Sequence, residues 1–396
     1  MEHWEQVFLT ALGAALRGQK APEAELTGER WQSLARLAQA HKVLPLIFQS
    51  LSTQSGAMEA LAPCRPAVRS AVMLQTRKTH DFLALAEGLR AAGIRALVVK
   101  GIVCRSLYPQ PDLRPSSDED LLVPPEQYEA AQKVLEEYGM TCTKIRSGDH
   151  ERDYGMEGSP LFVELHRDLF SPEEPACSGW NRYFDSVFDR AEEQEIQGTP
   201  VLTMGPTDHM LYLLLHAFKH FIHSGVGIRQ LCDICLYAQA RSGEISWPRI
   251  LEISRELRAE GFVRGVFALG RQYLNLNPAG CPEDGPDPEA LLADILGAGI
   301  YGSATQARLH SGNMTLKAVT DGPGGRGPAL LGALFPDSRK LEDRYPYLKK
   351  RPWLVPVAWG DRLVRYVLKT PDAGEAAAEG NRRVALLRQY GVLGEE

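Results

Sequence analysis

The feature that most constrains the fold is a change of hydrophobic period near residue 95, which changes back by Thr207. Before it, apolar residues recur at helical spacing over 3–17 and over 29–52, where Trp31, Leu34, Leu37, Ala38, Val43, Leu46 and Ile47 share a face. Residues 66–92 continue this as one long helix, with Leu83, Leu85 and Leu89 inward and Gly93 as its C-cap. Short apolar runs then replace the helical pattern. Arg95–Lys100, Asp118–Val123 and Leu161–Arg167 read as strands, and 141–147 with 151–157 as a hairpin across Gly148-Asp149. A helical stretch from Gly101 to Tyr108 and a Pro-rich loop, 109–115, join the first two strands; Pro124-Pro125 opens a helix that Gly139 ends. Helical spacing returns over 207–223, 227–242, 247–260 and 262–274, and residues 372–390 read as a final helix.

This pattern predicts an α/β (α+β) protein: a core with a mixed sheet over 93–204, flanked by N-terminal and C-terminal helical lobes. The boundaries are a helical lobe at 1–92, the core at 93–204, a helical domain lining a cleft at 205–275, and a C-terminal helical region at 276–396 with flexible loops and a basic aromatic segment. Asn275–Pro288 is a Pro/Gly-rich linker, and the glycine-rich loop 321–328 lacks the Lys-Ser/Thr of a P-loop.

Charge and cysteine usage narrow the class. With 44 basic against 50 acidic residues, net −6, no global field draws in nucleic acid, and no stable DNA binding is expected. The 7 scattered cysteines suit reduced thiols better than a disulfide framework, and Cys232-Asp-Ile-Cys235 has no second CxxC to complete a zinc site. No apolar run approaches a membrane span, and Met1–Glu5 lacks the cationic start of a signal peptide, so a cytoplasmic location is expected.

The chemistry concentrates in Ser116-Ser-Asp118-Glu119-Asp120-Leu-Leu-Val123. Alternate residues of a strand share a face, so Asp118 and Asp120 project together and Glu119 points away. Adjacent carboxylates repel unless a cation sits between them. Paired Mg²⁺ (or Mn²⁺) ions on such oxygens are the usual device for in-line phosphoryl displacement. Glu164 on a later strand is suitably placed as a third carboxylate, sharing its face with His166. Lys100-Gly101 closes a strand and opens a helix, where glycine lets the backbone approach a phosphate and lysine adds a point charge. Arg105 and Arg114 are further cations within reach of a phosphate.

This arrangement resembles the nucleotidyltransferase superfamily typified by DNA polymerase β, and more closely the bacterial family of uncharacterised nucleotidyltransferases. The resemblance rests on Val99-Lys-Gly101, Tyr108-Pro, Leu113-Arg-Pro115, Asp118–Pro124 and Val163-Glu-Leu-His166. His216-Ala-Phe-Lys-His220, Leu231-Cys-Asp233-Ile, Trp247 and Arg344–Trp353 also fit, so it spans most of the chain. It implies that Asp118, Asp120 and Glu164 hold metal and act catalytically, and that Lys100-Gly101 contacts phosphate. The reaction it implies moves a nucleoside monophosphate from a nucleoside triphosphate such as ATP to an unknown acceptor (small molecule, protein or RNA), with release of pyrophosphate. Lys100-Gly101 stands where the superfamily has Gly-Ser, so a serine contact to the triphosphate is missing.

Two regions keep alternatives open. His209, His216, His220 and His223 line one helical face. That face is a zinc site of His216, His220 and His223, or a nucleotide-facing surface with Lys219 and Arg229, or packing with histidines bonded to a group such as Asp233. We favour His216 and His220 as cleft-lining, which makes the expected nucleotide-binding set Lys100, Gly101, Arg114, His166, His216, Lys219 and His220. Residues 344–369 carry seven basic residues against Asp361 alone, interleaved with tyrosine and tryptophan. This segment reads as a solvated helix, a peripheral membrane contact or an RNA-stacking surface. The rival to an enzyme is a degenerate nucleotidyltransferase fold kept as a binding or scaffold module, associated with a membrane surface.

Overall fold

A computed structural model of the chain describes residues 1–299, 315, 316, 319, 345, 347, 351–361 and 373–393. The loop 321–328, and every basic residue of the 344–369 segment except Arg351, lie outside the described residues.

The N-terminal helices are α1 (His3–Leu16), α2 (Gly28–Ala40), α3 (Leu44–Ser50), α4 (Ser55–Ala60) and the long α5 (Arg65–Ala91). The expected helix over 29–52 is interrupted between α2 and α3, where Lys42 takes φ 57°. Then β1 (Leu97–Val98), α6 (Gly101–Arg105), β2 (Glu119–Leu122), α7 (Tyr128–Glu137), β3 (Thr141–Ile145), β4 (Glu151–Gly155) and β5 (Phe162–His166) alternate as the change of period predicts. After β6 (Glu192–Ile196) and β7 (Thr199–Thr203) the chain is helical again, through α8 (Pro206–His223), α9 (Ile228–Ala240), α10 (Trp247–Glu256), α11 (Glu260–Leu274) and α12 (Glu289–Ala298). A last described helix covers Ala373–Gln389.

One mixed sheet of seven strands holds the order β3-β4-β5-β2-β1-β7-β6. β2 runs parallel to β5 and β1 parallel to β7, while the remaining pairs are antiparallel. The α/β class and mixed sheet agree with the sequence reading. The β6–β7 hairpin was not anticipated. Its signal is the two-residue turn Gln197-Gly198, at φ 51° and 85°, the positive-φ pair that tight hairpins select. The run Glu192-Glu-Gln-Glu195 hides it, yet charges on an outer strand are how an edge resists pairing with another chain.

The helices on either side of the sheet share one apolar core. Phe8 and Leu12 of α1, Phe82 and Leu85 of α5, and Val99, Leu165, Phe221 and Phe262 are all buried in it. Contact between α1 and α11 is close enough that a Cβ on Gly13 would lie 2.5 Å from the Leu274 carbonyl oxygen. Arg17 Nη1 donates to that same oxygen at 2.6 Å. No helix among the described residues is long and apolar enough to cross a membrane.

At the centre, Glu119 points from β2 into the core and is fully buried. It accepts from Arg105 Nη1 at 2.9 Å and from the Ile102 amide at 2.6 Å, tying α6 to β2. Removing one partner of a buried pair leaves the other as an uncompensated charge, at about 3–5 kcal/mol. Arg105→Ala should lower stability by about that amount in chemical unfolding, and adding Glu119→Gln should restore part of the loss. A loss no larger than that of an exposed arginine would contradict this account.

Candidate active site

Asp118 and Asp120 lie where β2 begins, on the face opposite Glu119, as strand alternation requires. The parallel register sets Asp120 beside Glu164 of β5 and Leu122 beside His166. Ligand atoms of Asp120, Glu164 and His166 all lie within 4.8 Å of one another. His166 Nε2 is 3.4 Å from Asp120 Oδ1 and 3.7 Å from Glu164 Oε2, and its Nδ1 is 3.6 Å from Glu151 Oε2. Asp118 is outside that group but lines the same narrow cleft as Lys100, Gly101, Arg114, Asp120 and His216. The antiparallel partner β4 extends the acids, with Asp153 opposite Glu164 and Glu151 opposite His166. Arg146 approaches Glu151, Asp153 and Glu164 at 2.9, 3.6 and 3.8 Å.

The carboxylates do not share their charge equally. Burial works against ionisation of Asp120, but Lys100 and His166 outweigh it and hold the group at about 2. Glu164 is pushed up to about 8 by burial and by the charges of Asp120 and Asp118. Asp118 is raised for the same two reasons, burial and Asp120. Burial opposes the charged form of His166, yet the carboxylates of Asp120, Glu151 and Glu164 raise it above its ordinary value.

Lys100 has an unusual backbone. Its φ of 85° and ψ of −120° place a side chain where glycine is at home, at a cost of about 1–3 kcal/mol. Two contacts hold it there: its amide donates to His209 Nε2 at 3.3 Å, and its ammonium lies 3.0 Å from Asp120 Oδ1. The same ammonium is 3.3 Å from His216 Nε2. Gly101 is required for a reason the sequence did not reveal. A Cβ there would sit 1.9 Å from Glu119 Oε2, so the close approach is to a carboxylate of this chain.

Two arginines read as phosphate ligands are otherwise engaged. Arg105 is buried on Glu119. Arg114 forks onto Asp233, with Nε at 2.8 Å and Nη2 at 2.6 Å, and the Tyr108 hydroxyl donates to the same carboxylate at 2.7 Å. Three separated motif stretches (Tyr108-Pro, Leu113-Arg-Pro and Leu231-Cys-Asp-Ile) therefore meet in one buried cluster. Arg114 still borders the cleft, and its buried Nη1 has no hydrogen-bond partner.

The histidine face resolves along its length. His216 lines the cleft, and His220 packs edge-on against it at 4.7 Å. Asp233 is bonded to Arg114 and Tyr108 rather than to a histidine. Lys219 points elsewhere, pairing with Glu174 at 3.1 Å. Among the described residues, the groups able to share an ion are Asp120–Glu164–His166 and Glu151–Asp153–Glu164. The proposed zinc triad of His216, His220 and His223 does not assemble, and Cys232 and Cys235 are buried free thiols.

Sequence reasoning missed the supports of the Asp118 loop. Lys78 and Gln75, both buried on α5, reach the two residues that precede Asp118. Lys78 Nζ donates to the carbonyls of Ser116 and Ser117 at 2.8 and 2.6 Å, and Gln75 Oε1 accepts from the Ser116 amide at 2.8 Å. Arg229 Nη1 donates to the Pro115 carbonyl. The available signal was polar residues recurring on an otherwise inward helix face.

Residues 27–275, more than half of the chain, match the sequence profile of a family described as uncharacterised nucleotidyltransferase. The chain belongs to that family. Among solved structures, this nucleotidyltransferase family member is similar to an antigenic nucleotidyltransferase-like protein from Paracoccidioides brasiliensis. The two are 16% identical, the match covers 52% of this chain and 93% of the other, and the TM-score is 0.35. No curated protein matches the sequence.

His209 offers a test of the site's frame. Burial keeps it neutral, with its pKa lowered to about 3 from an ordinary 6.5. The unfolded chain therefore takes up a proton that the folded chain refuses, and stability falls as pH drops below 6.5. His209→Gln, which keeps an acceptor for the Lys100 amide, should flatten the slope of unfolding free energy between pH 6.5 and about 5. An unchanged slope would place the proton uptake elsewhere.

Proposed function

We infer that this family member is a metal-dependent nucleotidyltransferase that moves a nucleoside monophosphate from a triphosphate to an acceptor. The observation that carries this reading is the parallel register that sets Asp120 beside Glu164, with Asp118 and Asp120 lining one cleft. The donor set fits a hard divalent ion. It consists of carboxylate oxygens with one imidazole, whose two nitrogens are buried without hydrogen-bond partners, and a cation (the Lys100 ammonium) already sits on Asp120. Asp118, Asp120 and Glu164 would hold Mg²⁺ or Mn²⁺, with His166 steadying Asp120 and Glu164. When bound, the metal lowers the acceptor's pKa and offsets charge on the leaving group.

The protein's own residues do the positioning. Lys78 and Gln75 hold the loop that aims Asp118. Lys100, His216 and the remaining Arg114 donor border the space for the phosphates. The acceptor oxygen bonds to the α-phosphorus, the bond from that phosphorus to pyrophosphate breaks, and the acceptor's proton leaves to a cleft carboxylate or to water.

The test is to incubate pure protein with each labelled triphosphate, Mg²⁺ or Mn²⁺ and a lysate of its own host. Asp118→Ala/Asp120→Ala serves as the comparison. Label on one lysate component with wild type alone is expected, with transfer by the variant reduced to background. Absence of both transfer and metal-dependent nucleotide binding would favour the scaffold reading instead.

A further inference from the structure

The geometry points to Lys100 as a resident counter-ion of the metal seat, an ammonium that must leave Asp120 before a divalent cation can take its place. This rests on the nucleotidyltransferase reading and extends it to how the site loads. Lys100 Nζ lies 3.0 Å from Asp120 Oδ1, an oxygen that the proposed ion requires. Asp120 is 2% exposed, so one cation satisfies it and two compete. Lys100 and Asp120 line the same narrow cleft, so whatever approaches the carboxylate meets the ammonium as well. A divalent cation therefore does not take Asp120 Oδ1 while the lysine stays in place.

The lysine also has somewhere to go. The geometry also sets it 3.3 Å from His216 Nε2, a neutral acceptor and a weak hold on a cation, and 5.8 Å from the centre of the Tyr212 ring. The arriving phosphates offer a stronger anion. Lys100 then exchanges one anionic partner for another and clears Asp120 for the metal. Metal and triphosphate consequently bind as a pair, each removing the obstacle to the other.

Two reciprocal measurements test this without relying on turnover. Electron paramagnetic resonance of free Mn²⁺ gives metal affinity in the absence of nucleotide. Lys100→Met should bind Mn²⁺ about tenfold or more tighter than wild type. Calorimetry with inorganic triphosphate in metal-free buffer gives the other half. Asp120→Asn should bind triphosphate about tenfold or more tighter than wild type, and the gain should vanish when Lys100→Met is added. Should Lys100→Met fail to fold, Lys100→Gly replaces it, because glycine suits that backbone. Mn²⁺ affinity in the variant equal to or weaker than wild type would overturn the inference while leaving the transferase reading intact. If neither wild type nor variant binds Mn²⁺ or triphosphate under any condition, the transferase reading fails and this inference falls with it.

Discussion

The buried carboxylate of Glu119 is the interaction on which the site is built. It is the middle member of Asp118-Glu119-Asp120, and the pleat sends it into the core while its neighbours face the cleft. There it binds Arg105 and caps the Ile102 amide, which locks the short α6 against β2. That contact leaves no room for a side chain on Gly101, the residue that follows Lys100. A charge with no part in the proposed chemistry thus sets where the chemical groups stand.

Much of this was legible because a strand's period is two. Alternation alone separates Asp118 and Asp120 from Glu119, and Glu164 and His166 from Val163 and Leu165. The parallel register that brings Asp120 beside Glu164 depends on how distant strands pair, which no local pattern contains. The arginines were harder for a related reason. A guanidinium in a loop is read by its charge, whereas Arg114 is defined by Asp233, more than a hundred residues away. Lys219 likewise has the right position in a motif and a partner, Glu174, in a distant loop. Gln75 and Lys78 were invisible because their work is done through the backbone of another segment.

The cleft also shows how a folded chain tolerates acids in proximity. Asp118, Asp120, Glu164, Glu151 and Asp153 stand on or just before the adjacent strands β2, β5 and β4, and Lys100, Arg146 and His166 stand among them. The protein places its strongest cations on the most buried acid and on the outer rank. Glu164, between the two, keeps its proton far above the ordinary carboxyl range.

The loop before Asp118 is suspended from two directions, by Lys78 and Gln75 from α5 and by Arg229 from α9. These helices lie on opposite sides of the sheet segments in sequence, one before β1 and the other after β7. A chain trimmed to its strands and the loop before β2 would keep every carboxylate and lose the guy-lines that aim one of them. The flanking helices therefore belong to the candidate site as much as the sheet does, and that site is larger than its motifs.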